Sequence, residues 1–287
     1  MRLWLTVYMV LACVLQWAIG NVDVRWFAFP VGAAIGCSTV AILYVAEREW
    51  GRCRWIGEMR SARISCLLIG LTVVACIVGG FMPVGLSFQT SVPFVALLIA
   101  LTANLTLAIL HRLRSRHIGK DWVFLTTHTG IWLLLFCGLV GAGDNSELRA
   151  VVGRTQDTTS AMDCNGRMVS LPYSLRLSDF CIETDSVGGL PVQYSATILI
   201  DNRSVCIAVN DPHSQSLSED IYLMSFHQRA DDVSCVLMIE RQPWKYPMLA
   251  GICLLLSGAV AGGIRRVRWH EIAGTKQMDN RPDMTEV

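Results

Sequence analysis

Long unbroken apolar runs alternate with short charged stretches over most of the chain, and a span needs about 20 predominantly apolar residues. Six segments meet that length: Leu3–Val22, Trp26–Ala46, Ile64–Met82, Val92–Leu110, Trp122–Gly143 and Tyr246–Ile264. No charged residue occurs from Ile64 to Leu110, which is too long for one helix. The stretch Phe81–Pro93 supplies Pro and Gly to turn the chain within it. Between the fifth and sixth runs the pattern changes. Residues 145–243 carry short alternating or β-branched runs, "SLRLSDFCIET", "VQYSATILI", "SVCIAVN", "IYLMSF" and "SCVLMIE", with "DNRS" (Asp201–Ser204) as a hairpin turn between the second and third.

The predicted fold class is therefore an α-helical membrane protein of about six transmembrane helices, with one β-rich, sandwich-like extracytoplasmic domain between the last two spans. Four N-terminal spans with Arg-rich loops fill residues 1–120, the fifth span 121–144, the β-rich domain 145–243, and the last span with its tail 244–287. The first run could open a signal sequence, with "VLAC" loosely like a lipoprotein cleavage site. Its apolar character continues past Cys13, which favours an uncleaved span.

Composition agrees with a membrane protein: 53% of the 287 residues are hydrophobic and 16% charged, too apolar for an ordinary soluble chain. Charge placement adds direction. Arg48, Arg52, Arg54, Arg60 and Arg63 lie in one loop, Arg112, Arg114, Arg116 and Lys120 in another, and Arg265, Arg266, Arg268 and Lys276 after the last span. The alternate loops hold only Arg25. Positive loops stay in the cytoplasm, so both termini are expected inside a bacterial inner membrane and residues 145–243 outside. That outer segment has seven Arg, no Lys and thirteen Asp or Glu, a net charge of −6. No basic run interleaved with aromatics points to nucleic acid.

Candidate chemistry is sparse. The outer segment has no Ser-His-Asp order, no Gly-rich phosphate loop and no metal spacing; His213 and His227 read as exposed or hydrogen-bonded. Cys164, Cys181, Cys206 and Cys235 lie in an expected oxidising space, so at least one disulfide among them is expected, with the pairing open. No CxxC occurs, which excludes a thioredoxin-type reductant. Within the spans the one ionisable side chain is His128, six residues past Trp122 and so roughly 9 Å along a helix. An ionisable residue in a span is a functional-site hypothesis by default. From the residues alone, an iron ligand and a structural histidine bonded to a neighbouring helix both stand. Gly130, with Thr126, Thr127 and Thr129 around it, would let a flat ligand or another helix come close. Trp122 and Trp132 read as interface or packing residues, and Asn104 as a helix–helix hydrogen-bonding group.

Four ordered motifs carry a resemblance. "HTGIWLLLFCGLVG", "LPYSLRLSDFCIE", "VNDPHSQSLSEDIYLMSF" and "PWKYPMLAGICLLLSG" follow one another from about Leu125 to Gly262. They resemble the ResB (CcsB) family of System II cytochrome c biogenesis, whose pattern runs through an H-x-G span, L-P-F-x-L-x-L-x-D-F, N-x-P-L with a downstream I-Y-Q-x-S-Y, and a proline-led final span. Here the P-L is Pro212-His213 and the I-Y-Q is Ile221-Tyr222-Leu223. The resemblance implies a subunit that exports haem b across the membrane with a CcsA-type WWD partner, for covalent attachment to apocytochrome c. This chain has no WWD segment, so the attachment site is expected on the partner and this subunit is accessory to the haem lyase. The resemblance also implies that His128 is an axial ligand of haem iron. Two rival classes are a membrane-anchored scaffold whose outer domain docks a partner without haem, and a small-solute transporter. One ionisable residue in the spans leaves the transporter little for an ion relay.

Overall fold

The computed structural model describes residues 2–82, 88–114, 118–184, 191–229 and 232–279. The chain divides into two compact units, one of residues 1–143 and 247–287, the other Asp144–Tyr246.

The first unit is helical: α1 (Arg2–Ile19), α2 (Val31–Trp50), the short α3 (Arg54–Met59), α4 (Ala62–Gly80), α5 (Val92–Leu113), α6 (Ile118–Gly141) and α7 (Lys245–Asp279). Among the described residues, five helices are long and apolar enough to cross a membrane: α2, α4, α5, α6 and α7. The apolar part of α1, Leu3–Ile19, is shorter. The second helix begins later than its hydropathy predicts, at Val31 rather than Trp26. Pro30 stands at its N-cap, and the residues before it form a separate 3₁₀ turn, Val24–Phe27, capped by the Asp23 carboxylate. The later start carries Glu47 onto the last helical turn. Residues 83–87 of the expected turn between α4 and α5, and Arg116 of the second basic loop, lie outside the described residues.

Helix α5 is the hub, packed against α1, α2, α4 and α6. Side chains with no partner in hydrocarbon fix its neighbours. Gln16 of α1 accepts from the Val92 amide (2.6 Å), and Asn104 accepts from Ser65 Oγ of α4 (2.7 Å) while donating to the Met59 carbonyl. Asn104 is 3% exposed, so its expected helix–helix role holds. Glu47, equally buried, accepts from Arg60 (2.6 Å) and contacts His111 Nδ1 (3.0 Å), while Arg114 donates to its backbone carbonyl (2.9 Å). One anion thereby gathers residues of both basic loops onto the end of α2.

The second unit is one eight-stranded antiparallel sheet. Its strands are β1 (Ser146–Val152), β2 (Thr158–Asp163), β3 (Met168–Thr184), β4 (Pro191–Ile200), β5 (Arg203–Ala208), β6 (His213–Ser216), β7 (Glu219–Arg229) and β8 (Asp232–Arg241), in the order β5-β4-β3-β2-β1-β8-β7-β6. Side chains two apart face one core: Leu148, Ala150 and Val152; Tyr173, Leu175 and Leu177; Ala196, Ile198 and Ile200; Leu237 and Ile239. The Asp201-Asn202 turn joins β4 to β5 with both residues at positive φ (45° and 68°), the twist a two-residue hairpin demands. The expected sandwich of two sheets is instead a single sheet curled on itself. Register shifts at Leu177/Asp179 and Leu223/Ser225 bend β3 and β7. The curl brings β4 to β7, where Tyr194 Oη donates to the Met224 carbonyl (3.1 Å) and the rings of Phe180, Tyr194 and Phe226 cluster.

The four cysteines weighed for a disulfide are free thiols. Cys181 on β3 and Cys206 on β5 lie on opposite sides of β4, roughly 10 Å apart across two strand spacings, beyond disulfide reach. Cys235 is a core residue, and burial pushes its thiol up to about 11; Cys164 is exposed in the turn after β2.

A polar triad closes the same core. Tyr173 Oη donates to Glu219 Oε1 (2.5 Å) and Arg241 Nε to Oε2 (2.5 Å), joining β3, β7 and β8. Burial, then the Glu219 carboxylate, hold the Tyr173 phenol far above its ordinary value. Glu219→Ala strands both partners. We expect about 2–3 kcal/mol of lost stability, less than for a fully buried pair because Arg241 is 30% exposed. The check is denaturant-dependent proteolysis of the full chain in detergent, and an unchanged midpoint would contradict this role.

Candidate functional site

Helix α6 carries the one ionisable side chain expected deep in a span, and its surroundings are built from the same helix. Helical side chains lean toward the preceding turn, so His128 lies over Phe124, four residues earlier. The two rings stack, with centroids 3.7 Å apart and planes 23° from parallel. His128 Nδ1 lies 2.9 Å from the Phe124 carbonyl and 3.1 Å from Thr127 Oγ1. A carbonyl only accepts, so Nδ1 carries the proton. In the neutral ring Nε2 then keeps its lone pair, and among the described residues it has no hydrogen-bond partner. A neutral imidazole whose tautomer is fixed through one nitrogen is the form that coordinates metal through the other.

The threonines beside it serve the helix. Thr126 donates to the Trp122 carbonyl (2.8 Å) and Thr127 to that of Val123 (2.9 Å). Gly130 is buried against α7: a Cβ there would meet Leu255 N at 2.6 Å and the Gly251 carbonyl at 2.7 Å. Of the two close approaches expected at Gly130, the structure therefore shows the helix. Trp132 packs inward and donates to Thr106 Oγ1 of α5 (2.8 Å). His128 is thus held between turns that are themselves docked on α5 and α7.

Two further residues complete the site. Phe124 was legible in principle, since an aromatic four residues before a histidine faces it on a helix. Arg112, at the end of α5, places its guanidinium carbon 5.1 Å from the Phe124 ring centroid and pairs with Asp121 at 3.0 Å. Its membership of a basic loop gave no sign of that contact. The two histidines of the β unit hold nothing comparable. His213 has only a 3.3 Å contact with Gln215, and His227 is exposed. No group of three or more His, Cys, Asp or Glu that could hold a metal ion occurs among the described residues.

Residues 116–248 match the model of the ResB-like family, which bears out the resemblance over that stretch. The match takes in α6 and the whole β unit. Comparison with curated proteins gave no match. Among solved structures the chain is similar to one titled cytochrome c heme lyase CcmF, at 10% identity and a TM-score of 0.38, covering 70% of this chain and 34% of that one. The chain thus spans about a third of that structure's length, and a likeness this distant fixes neither activity nor partner.

Proposed function

We propose that this chain is the ResB-type subunit of a System II cytochrome c maturation machine, moving haem b across the membrane with a CcsA-type WWD partner for attachment to apocytochrome c. The observation that carries the reading is the free Nε2 lone pair of His128 on an apolar helix, inside the segment that matches the ResB-like model. When bound, haem supplies an iron whose axial position accepts an imidazole nitrogen.

The chain's own residues fit that task. The Phe124 carbonyl holds the Nδ1 proton, which leaves Nε2 as the coordinating nitrogen of the neutral ring. The Phe124 ring covers one face of the imidazole and excludes water there. The α6–α7 contact at Gly130 fixes the rotation of the helix that carries it. His128 would hold the iron from this chain, and the partner would supply a second ligand. In this reading both termini and the Arg-rich loops are cytoplasmic, residues 145–243 face outward in a bacterial inner membrane, and covalent attachment belongs to the partner.

Cells lacking this chain should lose covalently haem-stained c-type cytochromes while keeping b-type cytochromes, and the wild-type chain should restore them. Normal c-type cytochromes in its absence would leave the scaffold reading in its place.

A further inference from the structure

The ring stack beside His128 ends on a cation. From the imidazole centroid it is 3.7 Å to the Phe124 centroid, and from there 5.1 Å to the guanidinium carbon of Arg112. With the two ring planes only 23° apart, the first step runs close to the normal of the imidazole plane. Arg112 therefore lies no further from the imidazole than the two stacking distances laid end to end, so that an acid group on a ligand held by His128 would come within its reach.

Arg112 is also equipped for a second anion. One of its nitrogens pairs with Asp121, while its side chain remains 48% exposed and Asp121 is 18% exposed. A guanidinium offers five N–H donors in a planar fork, and among the described residues only Nη1 of Arg112 has an acceptor. Asp121 holds the fork in place by one tine and leaves the remainder for a carboxylate. That division of labour suits bidentate recognition of an acid group beside an apolar ring surface.

We propose that Arg112 binds a carboxylate arm of the macrocycle held by His128, so that the site selects an iron porphyrin bearing free acid groups at one edge. This rests on the His128 assignment above. The test is a Soret titration of the purified full-length chain with haem b and with its dimethyl ester, in which both acids are masked. Wild-type protein should bind the free acid on the order of 10-fold or more tightly than the ester. Arg112→Ala should erase that preference while the histidine-ligated spectrum persists, and Arg112→Lys should keep part of it. Equal wild-type affinity for acid and ester overturns the proposal without any variant, so a poorly folding Arg112→Ala protein does not blunt the test. Equal weakening of both ligands by Arg112→Ala would make Arg112 a packing residue under Phe124, and also overturns it. His128→Ala separates the two claims. If it leaves the ligated spectrum intact, the iron-ligand reading fails and Arg112 with it; if the spectrum needs His128 but shows no acid preference, only Arg112 fails.

Discussion

Gly130→Leu should destabilise the helical unit more than any other single change on α6, while Gly138→Ala on the same helix should be close to neutral. At Gly130 even a Cβ would stand 2.6 Å from a backbone nitrogen and 2.7 Å from a backbone oxygen of α7. Backbone cannot rotate aside as a side chain can, so the helices must part. The seam offers no slack nearby, because a Cβ at Gly258 would meet the Thr127 amide at 2.8 Å and one at Gly251 the Gly130 carbonyl at 3.1 Å. Overpacking of this kind costs on the order of 1–3 kcal/mol and beyond, and small residues are what allow such close helix contacts in lipid. A Cβ at Gly138 meets nothing within 4 Å. The comparison is membrane level and thermal aggregation midpoint of the two variants in detergent. A Gly130→Leu protein as stable as Gly138→Ala would show that α6 and α7 do not pack as described.

His128→Ala should abolish c-type cytochrome maturation while the chain remains inserted, and added imidazole should partly restore it. Truncation removes Nε2, and the hydrogen bond to the Phe124 carbonyl that goes with it lies within α6. A free imidazole is small enough to enter the vacated volume and offer iron the same nitrogen. Loss on the order of 100-fold or more is expected, since removing even an outer-shell partner of a metal ligand commonly costs roughly 10- to 100-fold. A histidine of purely structural value predicts lower protein levels and no rescue. Normal maturation in a stably inserted variant would separate this position from the activity.

What could be read in advance follows from how each feature is encoded. Helices α4 to α6 follow the apolar runs closely because about 20 apolar residues in sequence have few alternatives, whereas α7 continues past its run to Asp279. The second helix was misplaced by several residues since hydropathy does not register that Pro30 ends the turn before it. In the β unit, β3, β4, β5, β7 and β8 are visible as apolar or alternating runs. β1, with the charged Glu147 and Arg149 in its seven residues, is not, nor are β2 and β6, because "TTSAMD" and "HSQS" show too little apolar alternation. The sheet's curl depends on bulges within β3 and β7, which periodicity alone does not mark. His128 stood out because an imidazole is costly in a span. Arg112 did not, since its role comes from a contact between α5 and α6.

The central claim is that His128 holds haem iron, and haem content per inserted chain tests it most directly. Wild-type and His128→Ala proteins should be purified with the WWD partner co-expressed, and b-type haem measured as its pyridine haemochrome against folded protein. The account predicts a clear b-type spectrum in the wild type and its loss from an equally abundant His128→Ala protein. Unchanged haem per folded chain in that variant would contradict it.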